Sequence, residues 1–137
     1  MINNKLSDYY INYSMHTRWK DMDSFQHINN AAFLTYIEDA RISLFSRWNI
    51  NDVMKSIIVA SVKIDYHIQL KHPSRIIIGQ KISQIGNTSF DIGFGIFMEG
   101  NNSPVSTGIV TCVCFDYNKN VSVPVYPEIR KDFQDQM

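Results

Sequence analysis

The chain opens on alternation: Ile11, Tyr13, Met15, Thr17 and Trp19 share one parity, so a first strand is predicted over residues 9–20. From Asn29 the period lengthens. Phe33, Ile37, Ala40 and Leu44 step by four, three and four, with Leu34, Arg41, Phe45 and Trp48 on flanking rows, which predicts an amphipathic helix of about four turns. Asn29 or Asn30 is the N-cap, and Trp48-Asn49-Ile50-Asn51-Asp52 closes the helix.

Period two returns over residues 57–72. Val62, Ile64, Tyr66, Ile68 and Leu70 form an apolar row opposite Lys63, Asp65, His67, Gln69 and Lys71. The turn chemistry of His72-Pro73-Ser74-Arg75 leads into Ile76-Ile77-Ile78. Gly86-Asn87-Thr88-Ser89 then separates that strand from Phe90, Ile92, Phe94, Ile96 and Met98, and residues 99–104 form the next turn. Ile109 to Phe115 reads as a strand apolar on both faces, and a short helix is expected from Pro127 to about Phe133. One strand, one long helix, then strands joined by tight turns is an α+β order in which an antiparallel sheet curls over the helix.

Composition narrows the function classes. With 137 residues, 45% of them apolar, and seven Tyr, eight Phe and two Trp, the chain can build one core, so residues 1–137 are read as a single domain. Thirteen basic residues balance thirteen acidic ones, whereas general nucleic-acid binding needs a clustered excess of Lys and Arg. No run reaches the ~18 apolar residues of a membrane span and the first residues carry no signal-like stretch, so neither nucleic acid nor membrane is an expected partner and a cytoplasmic location is expected. His16, His27, His67 and His72 lack metal-ligand spacing, and Cys112 and Cys114 are read as buried free thiols.

The chemistry-bearing run is Arg18 to Asn30, which sets Asp21, Asp23 and His27 between a strand and a helix start. The first helical N–H groups have no intrahelical acceptor and sit at the positive end of the helix dipole. They can therefore hold negative charge developing on a carbonyl oxygen, while an acid just upstream reaches its carbon. Asp23 as nucleophile or general base beside Asn30 is a workable ester-cleaving pair. Asp21 is read as a structural acceptor in the loop, and Glu38 with Arg41 as a pair on the helix face.

The run Asp21-x-Asp23-x-x-x-His27-x-Asn29-Asn30, followed by Phe33-Leu34-Thr35-Tyr36-Ile37-Glu38-Asp39-Ala40-Arg41, resembles the hot-dog-fold acyl-CoA thioesterases of the 4-hydroxybenzoyl-CoA thioesterase type, especially their long-chain acyl-CoA branch. The resemblance implies a curved antiparallel sheet of about five strands around one long central helix. It further implies subunits joined into a homodimer or a dimer-of-dimers tetramer, with acyl-CoA cleaved at the interface to a free acid and coenzyme A. No cofactor is implied, coenzyme A being part of the substrate.

By that resemblance Asp23 matches the catalytic aspartate and Asn30 the residue whose N–H polarises the thioester carbonyl. Gln26 stands where many members have Gly, and His27 either orients Asp23 or a water or simply binds loop backbone. Phe33, with Trp19, Phe25 and Tyr36, suits an apolar acyl wall; Val59, Ala60 and Ser61 lie near where the partner subunit lines the acyl pocket. Ser89 falls in a later segment resembling the family. Lys63, Lys71, His72, Arg75 and Lys81 are the cations available to coenzyme A phosphates. An acyl-carrier-protein thioesterase and a non-catalytic acyl-binding protein are the alternative readings.

Overall fold

The structure, a computed structural model, describes residues 4–50 and 52–137. Strand β1 (Ile11–His16) and a 3-10 turn at Trp19–Asp21 precede helix α1 (Asn30–Arg47), and β2 (Ser56–Tyr66), β3 (Arg75–Ile85), β4 (Ser89–Met98) and β5 (Ser106–Asp116) follow. A two-residue β6 (Val121–Ser122) and helix α2 (Pro127–Asp135) end the chain. All pairings are antiparallel in the order β1-β3-β4-β5-β2, with β6 beside β5.

The predicted alternation decides which residues meet the helix. Ile76, Ile78 and Ile82 from β3, Phe90, Ile92, Phe94 and Ile96 from β4, and Val110, Cys112 and Cys114 from β5 form one buried surface, which joins Phe33, Tyr36, Ile37, Ala40, Leu44 and Trp48 in a single core. Gln80 lies in the same row, fully buried, and its amide donates to the Ala40 carbonyl of α1 at 3.0 Å, so a polar side chain ties sheet to helix without an unpaired atom. Cys112 and Cys114 are free and buried; burial pushes the Cys112 thiol up to about 12, which makes it a poor nucleophile at neutral pH.

Three expectations need correction. The first strand covers only Ile11–His16: Tyr9 instead packs over Gly79 and Gly95, where any Cβ would come within 3.0 Å of its ring, and Trp19 turns into the 3-10 segment. The strand expected over 57–72 ends at Tyr66, because the His67 and Ile68 N–H groups both turn to the Val105 carbonyl. Its register slips between Val59 and Ser61, and Val62 and Tyr66 stay exposed, since β2 is one of the sheet's two edges and has a neighbour on one side only. On β5, Ile109 is exposed rather than packed, whereas Val110, Cys112 and Cys114 are buried.

At the far end of α1, α2 closes the core. Asp132 accepts hydrogen bonds from Arg47 Nε at 2.7 Å, Arg47 Nη2 at 2.8 Å and Trp48 Nε1 at 2.7 Å. The bonds from Arg47 hold its carboxyl below the usual range against the upward pull of burial, with Trp48 adding to them. For Asp21 burial is the largest single influence and acts upward, but the bonds from Arg18 and Tyr36 together outweigh it and the carboxyl again lies low.

Carboxyls depressed in the fold bind fewer protons than in the unfolded chain, where an Asp titrates near about 3.9. Their contribution is therefore complete above that value and is lost as pH falls through the lower folded-state values. The expected melting temperature is nearly flat in this respect from about pH 7 to 5 and declines below about pH 4. Thermal denaturation followed by circular dichroism across that range checks it, and Asp132→Asn should show a shallower acid decline.

Candidate active site

Residues 21–29 form a loop closed on itself. The Asn29 N–H donates to the Asp21 carbonyl at 2.8 Å, Met22 bridges Ile28, and the Asp23 N–H donates to the His27 carbonyl at 2.8 Å. At the tip the Gln26 N–H returns to the Asp23 carbonyl at 3.1 Å, and Gln26 adopts φ 65°, a left-handed conformation in which glycine carries no Cβ penalty. The loop is anchored at its base: buried Asp21 receives the Tyr36 hydroxyl at 2.7 Å and Arg18 Nη2 at 3.0 Å, and the Ile28 N–H donates to the Leu70 carbonyl at 2.7 Å. Asp21 is thus occupied structurally, as the sequence suggested.

Asp23 is held differently. Its Oδ1 accepts the Phe25 N–H at 2.9 Å and the His27 N–H at 3.3 Å, whereas Oδ2 has no hydrogen bond among the described residues. One oxygen fixes the carboxylate and the other is available. The next residues open α1: Asn29 caps it, its side chain accepting the Ala31 N–H at 2.9 Å and its carbonyl the Ala32 N–H at 2.9 Å. Among the described residues no acceptor takes the Asn30 N–H, so this donor stands free at the positive end of an 18-residue helix.

Both residues border one cleft of about 390 Å³, lined by Asp23, Phe25, His27, Ile28, Asn30 and Phe33 from the loop and helix start, by Tyr66 at the end of β2 and by residues 67–70 beyond it. The lining is mixed: Phe25, Ile28, Phe33, Tyr66, Ile68 and Leu70 supply its apolar part, and Asp23, His27, Asn30, His67 and Gln69 its polar part. Of the anticipated site residues, Asp23, His27, Asn30 and Phe33 come together here. Gln26 shapes the loop without lining the cleft, and Val59, Ala60 and Ser61 lie at the bulge on exposed β2.

Arg75 starts β3 at the same end of the sheet as Tyr66 but outside the cleft, and it faces Glu99 at 3.6 Å. Ser89, paired with Val113, lies at the opposite end of the sheet. Of the other aromatic candidates, Phe25 lines the cleft, Trp19 is exposed outside it, and Tyr36 is buried beneath it on Asp21. Sequence reasoning missed Tyr66, Ile68 and Leu70 as cleft residues, placing them on the apolar row of one strand; Leu70 is buried in the core as well. The available signal was the polar run His67, Gln69, Lys71 ahead of Pro73, which a continuing edge strand need not carry.

An antiparallel sheet curled over one long helix, with an acid in the loop before that helix, is the hot-dog architecture. Residues 17–133 match the model of the thioesterase-like superfamily, and the chain belongs to that family. It is 33% identical over 99 residues to the protein YsmA of Bacillus subtilis (strain 168), a match spanning 70% of this chain and 66%, just under two thirds, of YsmA. It is 23% identical over 117 residues to the long-chain acyl-CoA thioesterase FadM of Escherichia coli (strain K12), covering 82% of this chain and 89% of FadM. The crystal structure of the PA5185 protein from Pseudomonas aeruginosa strain PAO1 superposes with a TM-score of 0.89 at 23% identity, covering 98% of this chain and 96% of that one, a likeness of fold.

Proposed function

We propose that this protein hydrolyses the thioester of an acyl-CoA to a free carboxylic acid and coenzyme A, with Asp23 as base or nucleophile and the Asn30 N–H polarising the carbonyl. The observation that carries the reading is that a carboxylate oxygen and a helix N–H, each without a hydrogen bond among the described residues, belong to two residues that line one cleft. As the thioester carbonyl becomes tetrahedral its oxygen gains negative charge, and a fixed N–H at the helix start stabilises that charge without reorganising.

Acting as base, Asp23 takes a proton from water as the water oxygen bonds to the carbonyl carbon; collapse breaks the C–S bond and the thiolate leaves, to be protonated as coenzyme A. Acting as nucleophile, Oδ2 itself bonds to that carbon, the thiolate leaves, and water hydrolyses the resulting anhydride. In either course His27 orients Asp23 or the water through its ring, since its backbone N–H already holds Oδ1. The reaction uses no cofactor.

The family relative FadM is a long-chain acyl-CoA thioesterase, and the Phe25, Ile28, Phe33 and Leu70 side chains offer an apolar acyl group a matching wall. The exposed, unpaired edge of β2 supports a homodimer or dimer-of-dimers tetramer in which a second copy brings Val59, Ala60 and Ser61 toward the acyl group. Arg75 is proposed for a coenzyme A phosphate once it leaves Glu99, and Ser89 is kept as a substrate contact on family resemblance alone. Among the described residues no helix is long and apolar enough to cross a membrane.

The test is thiol release from short, long and aryl acyl-CoAs alongside the same acyl groups on a carrier protein. The expected result is turnover of at least one acyl-CoA with kcat/KM about tenfold or more above its carrier-bound counterpart. Preference for the carrier substrate makes the protein an acyl-carrier-protein thioesterase. Protection against unfolding by acyl-CoA without any thiol release makes it a binding protein and overturns hydrolysis.

A further inference from the structure

Tyr66 closes β2 at the point where the strand leaves the sheet, and its position is unusual for a residue of the expected apolar row. Its ring meets Phe33 edge-on, with centroids 5.2 Å apart and planes at 78°, and both side chains line the cleft. Its hydroxyl donates to the backbone carbonyl of Asn30 at 3.1 Å. The cleft residue whose N–H has no acceptor among the described residues is thereby tied, through its own carbonyl, to the end of a strand 36 positions along the chain.

We propose that Tyr66 is a positioning residue for the carbonyl-polarising N–H of Asn30, an inference that rests on the thioesterase reading of the same cleft. The first residue of a helix is where fraying starts, since its N–H and those just after it lack intrahelical partners. Asn29 restrains Ala31 and Ala32 by hydrogen bonds, but neither bond reaches Asn30. The Tyr66 hydroxyl supplies that restraint on the carbonyl side of the Asn30 Cα, and its ring is itself fixed by Phe33. Helix start, strand end and cleft wall therefore move together. A donor that must meet a developing oxyanion loses its effect when displaced by about 1 Å, which makes the restraint matter to rate rather than to folding.

The neighbouring groups support this division of labour. Asp21 holds the base of the loop through Tyr36, and Leu70 holds Ile28, so the loop keeps its shape without Tyr66. The hydroxyl is not needed for burial either, because Tyr66 is 42% exposed. What it uniquely contacts is the backbone of Asn30.

Tyr66→Phe keeps the ring on Phe33 and removes only the hydroxyl. Expected is a kcat about tenfold lower on the best acyl-CoA of the panel, with KM within about twofold and a melting temperature within about 2 °C of wild type. The decisive readout is the infrared stretch of a carbon-13-labelled thioester carbonyl on that acyl-CoA, bound to Asp23→Asn, which slows its turnover. The stretch should lie below its value in water and move back toward that value in Asp23→Asn/Tyr66→Phe. A kcat equal to wild type, a loss confined to KM, or an unmoved carbonyl stretch overturns the positioning role. If wild type is active, Asp23→Asn is nearly inactive and Tyr66→Phe matches wild type, this inference alone fails. If wild type releases no thiol from any substrate, the hydrolytic reading fails and takes this one with it.

Discussion

Asp23→Asn is expected to lower the rate of thiol release from acyl-CoA by about a hundredfold or more while leaving the protein folded and able to bind its substrate. The substitution is nearly isosteric, and the amide oxygen can continue to accept the Phe25 and His27 N–H groups that close the loop.

 The bonds in question are those from the Phe25 and His27 backbones to Oδ1, at 2.9 and 3.3 Å. What changes is the second position: the unbonded Oδ2 becomes an NH₂, which donates where a base or nucleophile must accept. Loss of rate with retained binding and an unchanged melting temperature therefore isolates the chemistry of one oxygen. Stopped-flow or steady-state thiol detection, together with substrate protection in thermal denaturation, checks both halves. Equal rates in the two proteins would move the reaction to another group.

Asp132→Ala is expected to destabilise the fold by about 2–4 kcal/mol, the largest stability loss anticipated for a residue outside the cleft. Removing the carboxylate abandons three donors, and they are not equivalent. Arg47 is 46% exposed and regains water readily, so its two bonds account for the smaller share. Trp48 is 1% exposed, packed edge-on to Phe90 with ring centroids 5.6 Å apart, and its Nε1–H would be left buried without an acceptor. For a chain of this size the loss corresponds to a melting temperature lower by roughly 8–15 °C. Asp132→Asn, which keeps an oxygen for Trp48 and forfeits the charge opposite Arg47, should lose less than half as much. Because this cluster lies at the opposite end of α1 from Asn30, kcat at a temperature where both proteins are folded should be close to wild type.

These two expectations differ in how far the sequence foretold them. Asp23, Asn30 and the helix behind them were legible because the information is local: an Asx-type turn, an Asn cap and a run of apolar residues at helical spacing all lie within 30 consecutive positions. The β3–β4 turn was legible for the same reason, with the Gly86 N–H closing on the Ser89 carbonyl at 2.8 Å. The free thiols Cys112 and Cys114 also lie buried, as their place in an apolar strand suggested.

Asp132 carried no such mark. In sequence it is one acid among several near the end of the chain; its partners Arg47 and Trp48 are 85 and 84 residues away. The parity of Tyr66 matches Val62 and Ile64 and puts it on the strand's apolar row, yet parity reports only which face a side chain takes. Whether that face is covered depends on where the strand sits in the sheet, and β2 sits at the edge. Tyr9 likewise looked like the start of a strand, and only the absence of side chains at Gly79 and Gly95 makes room for its ring.

The sequence by itself therefore determined the elements, the turns between them and the acid placed just before a helix start, since each follows from backbone preference and periodicity over a few neighbouring residues. Tertiary structure alone decided that β2 is an edge, that residues 67–70 leave it to wall a cleft against the Asp23 loop, and that Tyr66 reaches the Asn30 carbonyl. Those outcomes depend on strand order and on contacts between distant segments, whose energies arise only once the sheet has closed over the helix.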